Sequence, residues 1–266
     1  MNCAICQAPA SPFATATFLG KHQALLSRCT RCGFIQAREP HWLPEAYGEA
    51  IKRSDVGLVR RNSRLATVTG AVITAFFDRG ARFLDYGGGY GLLARMMRDK
   101  GYDFYRWDKH CDNLFVRDFE AADADRGSFA LVTAYEVFEH LPAPLEDIGE
   151  MLRFSRNILF TTELVPDPSP SPDRWWYYGL EHGQHVSFYT RRSLAAIAER
   201  FSLHLCTNGR SLHLLTERPI PSWMFTALSW RPAAVVLNGI CRRQSLIGAD
   251  YERITKGNPG EGPRRP

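Results

Sequence analysis

The run "ARFLDYGGGYG", residues 81 to 91, constrains this chain more than any other stretch. "ARFLDY" reads as a short apolar strand, and "GGGYG" as a turn stripped of side chains. "LLARMMRDKG" is then a helix that stops at Gly101, and "YDFYRWD" a second strand ending in an acid, Asp108. A strand, turn, helix and strand of this length make half of a doubly wound parallel α/β sheet, whose ligands bind beyond the carboxyl ends of its strands. Glycines at 87, 89 and 91 let the main chain approach a cofactor, and a carboxylate after the second strand suits a ribose diol. The dinucleotide fingerprint G-x-G-x-x-G fits less well. Counted from Gly87 it needs Gly or Ala at 92, where Leu92 stands; counted from Gly89 it can be forced onto Gly91 and Ala94.

A second pattern lies upstream. Cys3 with Cys6, and Cys29 with Cys32 inside "CTRCGFIQ", form two C-x-x-C pairs. Two such turns supply the four-sulfur tetrahedral shell that zinc prefers, whereas a redox dithiol does not ordinarily come doubled or precede every strand-helix unit. Chance pairing is the bland alternative. Residues 1–37 are therefore expected to form a zinc ribbon, too short to bury a core without its metal and structural in role. Cys111, Cys206 and Cys241 show no pairing pattern. Residues 38–78 read as a linker and N-terminal helices ended by Gly80, 79–218 as the main domain, and 219–266 as a C-terminal extension. A length of 266 with 45% hydrophobic residues is consistent with one substantial core plus a small appendage. The net charge of +5 comes from scattered arginines, a weak footprint for nucleic acid. With no apolar leader and no run of about 18 apolar residues, the expected location is cytoplasmic.

The arrangement Asp85-x-Gly87-x-Gly89-x-Gly91 resembles motif I of class I S-adenosylmethionine-dependent methyltransferases. "SFALVTAYEVFEHLPAPLEDIGEML" looks like that family's fourth strand, loop and following helix, and "RNILFTTEL" like its fifth strand; the resemblance covers roughly residues 80 to 216. It implies a seven-stranded Rossmann-like sheet with an antiparallel final hairpin. "FSLHLCTNGRSLHLLTE" carries a hairpin signal of its own at Asn208-Gly209. The resemblance further implies that Asp85 and the glycine turn lie beside the cofactor's methionine part, and that Asp108, with its neighbour Lys109, meets the ribose. Of the two acids after the fourth strand, Glu136 is assigned to the cofactor's amino group and Glu139 reads as a loop carboxylate.

The acceptor is expected under "VPDPSPSPDRWWYYGLEHGQHVSFYTRRSL". Prolines at 166, 168, 170 and 172 preclude helix or central strand, so this is a stiff excursion over the cofactor end of the sheet. The aromatic block from Trp175 to Tyr178 reads as core or lid packing, or as a wall that stacks on a ring. Methyl transfer from a sulfonium is an in-line displacement that needs a group to take the acceptor's proton. His185 is expected as that base, His182 as its support, and His140 in "FEHL" as the competitor; packed core histidines are the alternative.

"CTRCGFIQAREPHWLPEAYGEA", with Tyr47 near its end, is similar to the zinc-binding segment of bacterial sugar C-methyltransferases. "HVSFYTRRSLAAIAERF" is similar to a segment of small-molecule methyltransferases from polysaccharide and natural-product clusters. Together they imply a small-molecule acceptor, a sugar or a related precursor. Those sugar enzymes carry a further large C-terminal domain, while this sequence stops 50 residues past Thr216, so O-methylation stands beside C-methylation. A ribosomal-RNA guanine methyltransferase, whose metal shell includes a histidine, and a non-catalytic S-adenosylmethionine-binding accessory subunit are the competing readings. In the tail, "IPSWMFTALSWRPAAVVLNGI" is expected to pack on the main domain rather than lie on a membrane, and "KGNPGEGPRRP" to be disordered.

Overall fold

The computed structural model describes residues 2–48 and 55–256. After the first cysteine turn the chain forms a hairpin. β1 (Ala10–Phe18) and β2 (His22–Cys29) pair antiparallel, with Phe18 opposite His22 and Ala10 opposite Cys29. β3 (Ile35–Ala37) runs back along β2. A single turn of helix, α1 (Leu43–Ala46), and a long helix, α2 (Leu58–Phe76), lead to the main domain. α2 stops before Phe77, whose backbone is extended, so the chain leaves the helix three residues ahead of the expected stop at Gly80.

The main sheet is built from β4 (Arg82–Tyr86), β5 (Asp103–Trp107), β6 (Leu131–Ala134) and β7 (Ile158–Thr161), with α3 (Leu92–Asp99) and α4 (Pro144–Leu152) in the crossovers. β8 (Ser187–Phe188), α5 (Arg191–Arg200), β9 (His204–Thr207) and β10 (Leu212–Thr216) follow. The order is β5-β4-β6-β7-β10-β9, parallel up to β7, with β10 antiparallel to both neighbours. The expected hairpin is present. Asn208 Oδ1 accepts the N–H groups of Arg210, Ser211 and Leu212, which closes the turn.

Among the described residues the sheet has six strands, where seven were expected. At the β5 edge the chain makes one parallel bridge, Glu120 to Arg106, and Asp125 then accepts the Ala122 N–H and turns the backbone out of the edge.

Alternate residues of the buried strands face opposite layers, as both-sided burial requires. Phe83 packs with α2 and α3 through Leu65, Val72, Leu93 and Met97, while Leu84 packs with α4 and α5 through Ile148, Met151, Leu194 and Ile197. α5 is started by a reciprocal cap between Thr190 and Ser193. The extension adds α6 (Ser222–Ser229), α7 (Arg231–Ile240) and α8 (Ile247–Lys256). Phe225 and Ala234 join the α2 layer, and Asn238 donates to the Thr67 carbonyl at 2.7 Å. A buried pair, Arg98 with Asp250 (2.6 and 2.8 Å), ties α8 to α3. The extension thus packs on the main domain, although Trp223 and Trp230 remain 73% and 66% exposed. The disordered tail expected from residue 256 lies, past Lys256, outside the described residues. No helix among the described residues is long and apolar enough to cross a membrane.

The cysteine unit does not stand apart. β3 pairs with β8, Ile35 opposite Phe188, so the second sheet, β1-β2-β3-β8, is completed by a strand from beyond β7.

Candidate active site

A cavity of about 750 Å³ opens at the carboxyl ends of the parallel strands. The glycine turn forms one wall. Gly87 and Gly91 have φ of +66° and +87°, and a Cβ on either would come within 2.8 and 2.7 Å of Val137 and Val116. Only glycine fits both the conformation and the space. Asp108 stands beside the turn: one carboxylate oxygen accepts the Gly89 N–H at 2.8 Å, and the other accepts from His110 (2.7 Å) and Cys111 (2.9 Å). It is therefore a fixed acceptor at the cavity, with one lone pair left over on the oxygen that meets Gly89, and not a solvated strand end. Lys109 places its ammonium 5.2 Å over the Trp107 ring, at the same rim.

Sequence reasoning missed Arg106. It is buried within β5, and its guanidinium donates to the Gly89 carbonyl at 2.5 Å and also binds the Cys111 carbonyl and Glu120. It thereby stitches the glycine turn to the loop that carries Asp108. Asp85 lines the cavity floor, accepts from Thr133 Oγ1 at 2.8 Å, and is pushed up to about 7 by burial.

Glu136 and Glu139 have different surroundings. Glu136 is exposed to the cavity in a left-handed conformation, φ +55°, held by Thr161: its N–H donates to Thr161 Oγ1, and that hydroxyl donates to its carboxylate, both at 2.8 Å. Arg61 of α2 lies 3.8 Å from its other oxygen. Strain of this kind clusters at functional sites. Glu139, expected to be a loop carboxylate, is fully buried.

The three candidate histidines come together. The His185 ring lies 5.0 Å from that of His140 and 4.6 Å from that of His182, and all three line the cavity. The Nδ1–H of His185 donates to the Tyr177 carbonyl at 2.7 Å, which leaves the lone pair on Nε2. His182 Nδ1 accepts the Gln184 N–H at 3.2 Å, which puts its proton on Nε2. His140 Nδ1 meets the Tyr47 hydroxyl at 3.0 Å. Burial lowers His185 to about 3 and holds His140 well below the usual imidazole range, so both are neutral at physiological pH. Within the aromatic block, Tyr177 and Tyr178 are core, while Trp176 is 73% exposed and reaches the cavity rim.

The four N-terminal cysteines also converge. All four sulfurs lie within 4.8 Å of one another, with Cys3 to Cys32 at 3.7 Å and Cys6 to Cys29 at 3.5 Å. Zinc bonds of 2.3 Å give a tetrahedron with edges of about 3.8 Å, and a disulfide would need about 2.0 Å, so the donor set fits the metal. The N–H groups of Ile5 and Cys32 point at the Cys3 and Cys29 sulfurs at 3.4 Å.

A parallel sheet with an antiparallel β10, a glycine turn and an acid after the second strand make a doubly wound α/β domain with its ligand cleft at the carboxyl edge of the sheet. The family profile described as "Methyltransferase domain" matches residues 60–207, more than half of the chain, and the chain belongs to that family. An O-methyltransferase family protein from Burkholderia thailandensis is similar in fold, with a TM-score of 0.50 at 14% identity over 68% of this chain and 64% of that one. The 1,6-didemethyltoxoflavin-N1-methyltransferase of the same organism aligns with a TM-score of 0.48 at 12% identity, over 72% of this chain and 93% of that one. OxaC, solved with sinefungin and meleagrin, aligns with a TM-score of 0.40 at 15% identity, over 54% and 44%. The chain spans less than two thirds of the length of OxaC and of the O-methyltransferase family protein. No curated protein matches the sequence.

Proposed function

We propose that this methyltransferase uses S-adenosylmethionine to methylate a small polar acceptor, a sugar or a glycan or natural-product precursor, at oxygen or carbon. The observation that carries this reading is a single cavity with the glycine turn and Asp108 at one end and His140, His182 and His185 at the other. Gly87, Gly89 and Gly91 leave the turn open for the cofactor's methionine part, beside Asp85. Asp108 accepts from the ribose hydroxyls, with Lys109 next to it, and Glu136 accepts from the amino group. S-adenosylmethionine, when bound, supplies a methyl group on a positively charged sulfur.

The protein's own contribution is alignment and proton removal. His185, its tautomer set by the Tyr177 carbonyl, turns Nε2 to the acceptor. His182 offers its Nε2–H to an acceptor oxygen and orients it. The zinc held by Cys3, Cys6, Cys29 and Cys32 is structural.

The test is turnover. Protein incubated with methyl-tritiated S-adenosylmethionine and a panel of sugar nucleotides and free sugars is expected to label an acceptor. Tight cofactor binding with no transfer to any member of the panel would contradict the sugar reading and favour an accessory subunit.

A further inference from the structure

Behind the histidine wall lies a carboxylate with no well-formed hydrogen bond. Glu139 is fully buried, and neither of its oxygens has a hydrogen-bond partner. The Tyr177 hydroxyl lies near enough to favour the ionised carboxylate, but its one well-formed bond goes to Thr162 Oγ1, at 3.3 Å. Buried carboxylates are strongly disfavoured unless a donor, a proton or a cation accompanies them.

What surrounds Glu139 is a donor set. A carboxylate oxygen of Glu139 and one nitrogen each from His140 and His185 lie within 4.8 Å of one another. Both imidazoles are held from behind through Nδ1, His185 by the Tyr177 carbonyl and His140 by the Tyr47 hydroxyl. Partners of this kind orient metal-ligating histidines and leave Nε2 for the ion. The local charge agrees. Arg61 is already engaged by Asp55 at 2.6 Å and approaches Glu136 at 3.8 Å, so its charge is shared before it reaches Glu139.

We propose that Glu139, His140 and His185 bind one divalent transition-metal ion at the acceptor end of the cavity. Two imidazoles and one carboxylate suit manganese, iron, cobalt, nickel or zinc better than calcium or magnesium. Three protein ligands leave coordination positions open, and adjacent hydroxyls of the acceptor fill them. That last step rests on the methyltransferase reading; the ion site itself does not. With the ion bound, the Nε2 lone pair of His185 is on the metal, and an acceptor hydroxyl made more acidic by the ion loses its proton to solvent instead of to His185.

The test starts from protein brought to one zinc per chain with a mild chelator, so that the four-cysteine site is filled and the proposed site is left free, with excess metal removed. Manganese(II) is added and its free ion followed by electron paramagnetic resonance; cobalt(II) is followed by visible absorption. The expected result is about one manganese or cobalt per chain beyond the zinc, with affinity falling at least about tenfold in Glu139→Gln and in His140→Ala. S-adenosylmethionine affinity, measured by calorimetry on the same samples, should persist in Glu139→Gln and so report an intact fold. No binding of either ion at millimolar concentration, or equal binding in parent and variants, would overturn the proposal. A parent that binds the ion but not S-adenosylmethionine would sink the methyltransferase reading and leave the ion site standing.

Discussion

His213 and His185 are both buried, and their partners separate their roles. His213 in β10 is bonded on both sides, Nδ1 to the Thr207 hydroxyl at 2.8 Å and Nε2 to the Thr162 carbonyl at 3.0 Å, away from the cavity. Burial lowers it to about 4. The folded value lies below the unfolded one of about 6.5, so its stabilising effect is complete above that pH and is lost as pH falls from about 6.5 through 4. The full difference is on the order of 3 kcal/mol. Urea denaturation at pH 7.5 and 4.5 should show a smaller acid loss in His213→Gln than in the parent; equal losses would assign the acid sensitivity elsewhere. His185, by contrast, has one bonded nitrogen, and its ring lines the cavity. His185→Ala should cut turnover about 100- to 10,000-fold with little change in cofactor affinity. His182→Ala should appear chiefly in KM. Should both keep near-normal turnover while His140→Ala abolishes it, the essential group sits on the loop after β6.

The element that positions these histidines is the cysteine-bearing sheet. The Leu19 N–H donates to Leu180 (2.7 Å), the Trp42 indole to Gly183 (2.8 Å), the Ala37 N–H to Val186 (2.9 Å) and the Gln184 amide to Ala46 (3.0 Å). Phe18, Leu26, Ile35 and Trp42 share one core with Tyr177, Tyr178 and Phe188. The sheet that carries the four cysteines therefore braces the loop from Gly179 to Phe188, more than 140 residues away in sequence. In Cys29→Ser, metal analysis should find the zinc lost, stability should drop by at least about 3 kcal/mol, and Tm by roughly 6–12 °C. Turnover should fall further than cofactor affinity, because the glycine turn belongs to the other sheet; unchanged turnover would show the brace to be unnecessary. Much of this was legible in the sequence where the signal is local: the glycine turn, Asp108, the doubled C-x-x-C and the Asn208-Gly209 hairpin each depend on neighbours a few residues apart. Arg106 and Glu139 were not, because a buried arginine and a buried glutamate look like surface residues until the chain brings partners around them. The pairing of β3 with a two-residue strand at Ser187 gave no pattern to read. The seventh strand failed because only Glu120 pairs before the chain turns away.

At the scale of the whole molecule, one cavity draws on stretches far apart in the chain: Tyr47 from the N-terminal segment, Arg61 and Asn62 from α2, the ends of β4, β5 and β6, and the histidine loop. Such convergence at the carboxyl edge of a parallel sheet is where this architecture places its ligands. The C-terminal helices lie on the α2 layer instead and support the cofactor half from outside. The account stands or falls on what occupies the glycine end. Titration calorimetry with S-adenosylmethionine on the zinc-loaded parent and on Asp108→Ala tests it most directly. The prediction is one site per chain in the parent, with affinity reduced in the variant by about 1.5 to 3 kcal/mol for each charge-assisted hydrogen bond removed. Unchanged affinity in Asp108→Ala, or a parent that binds NADH in preference to S-adenosylmethionine, would contradict it.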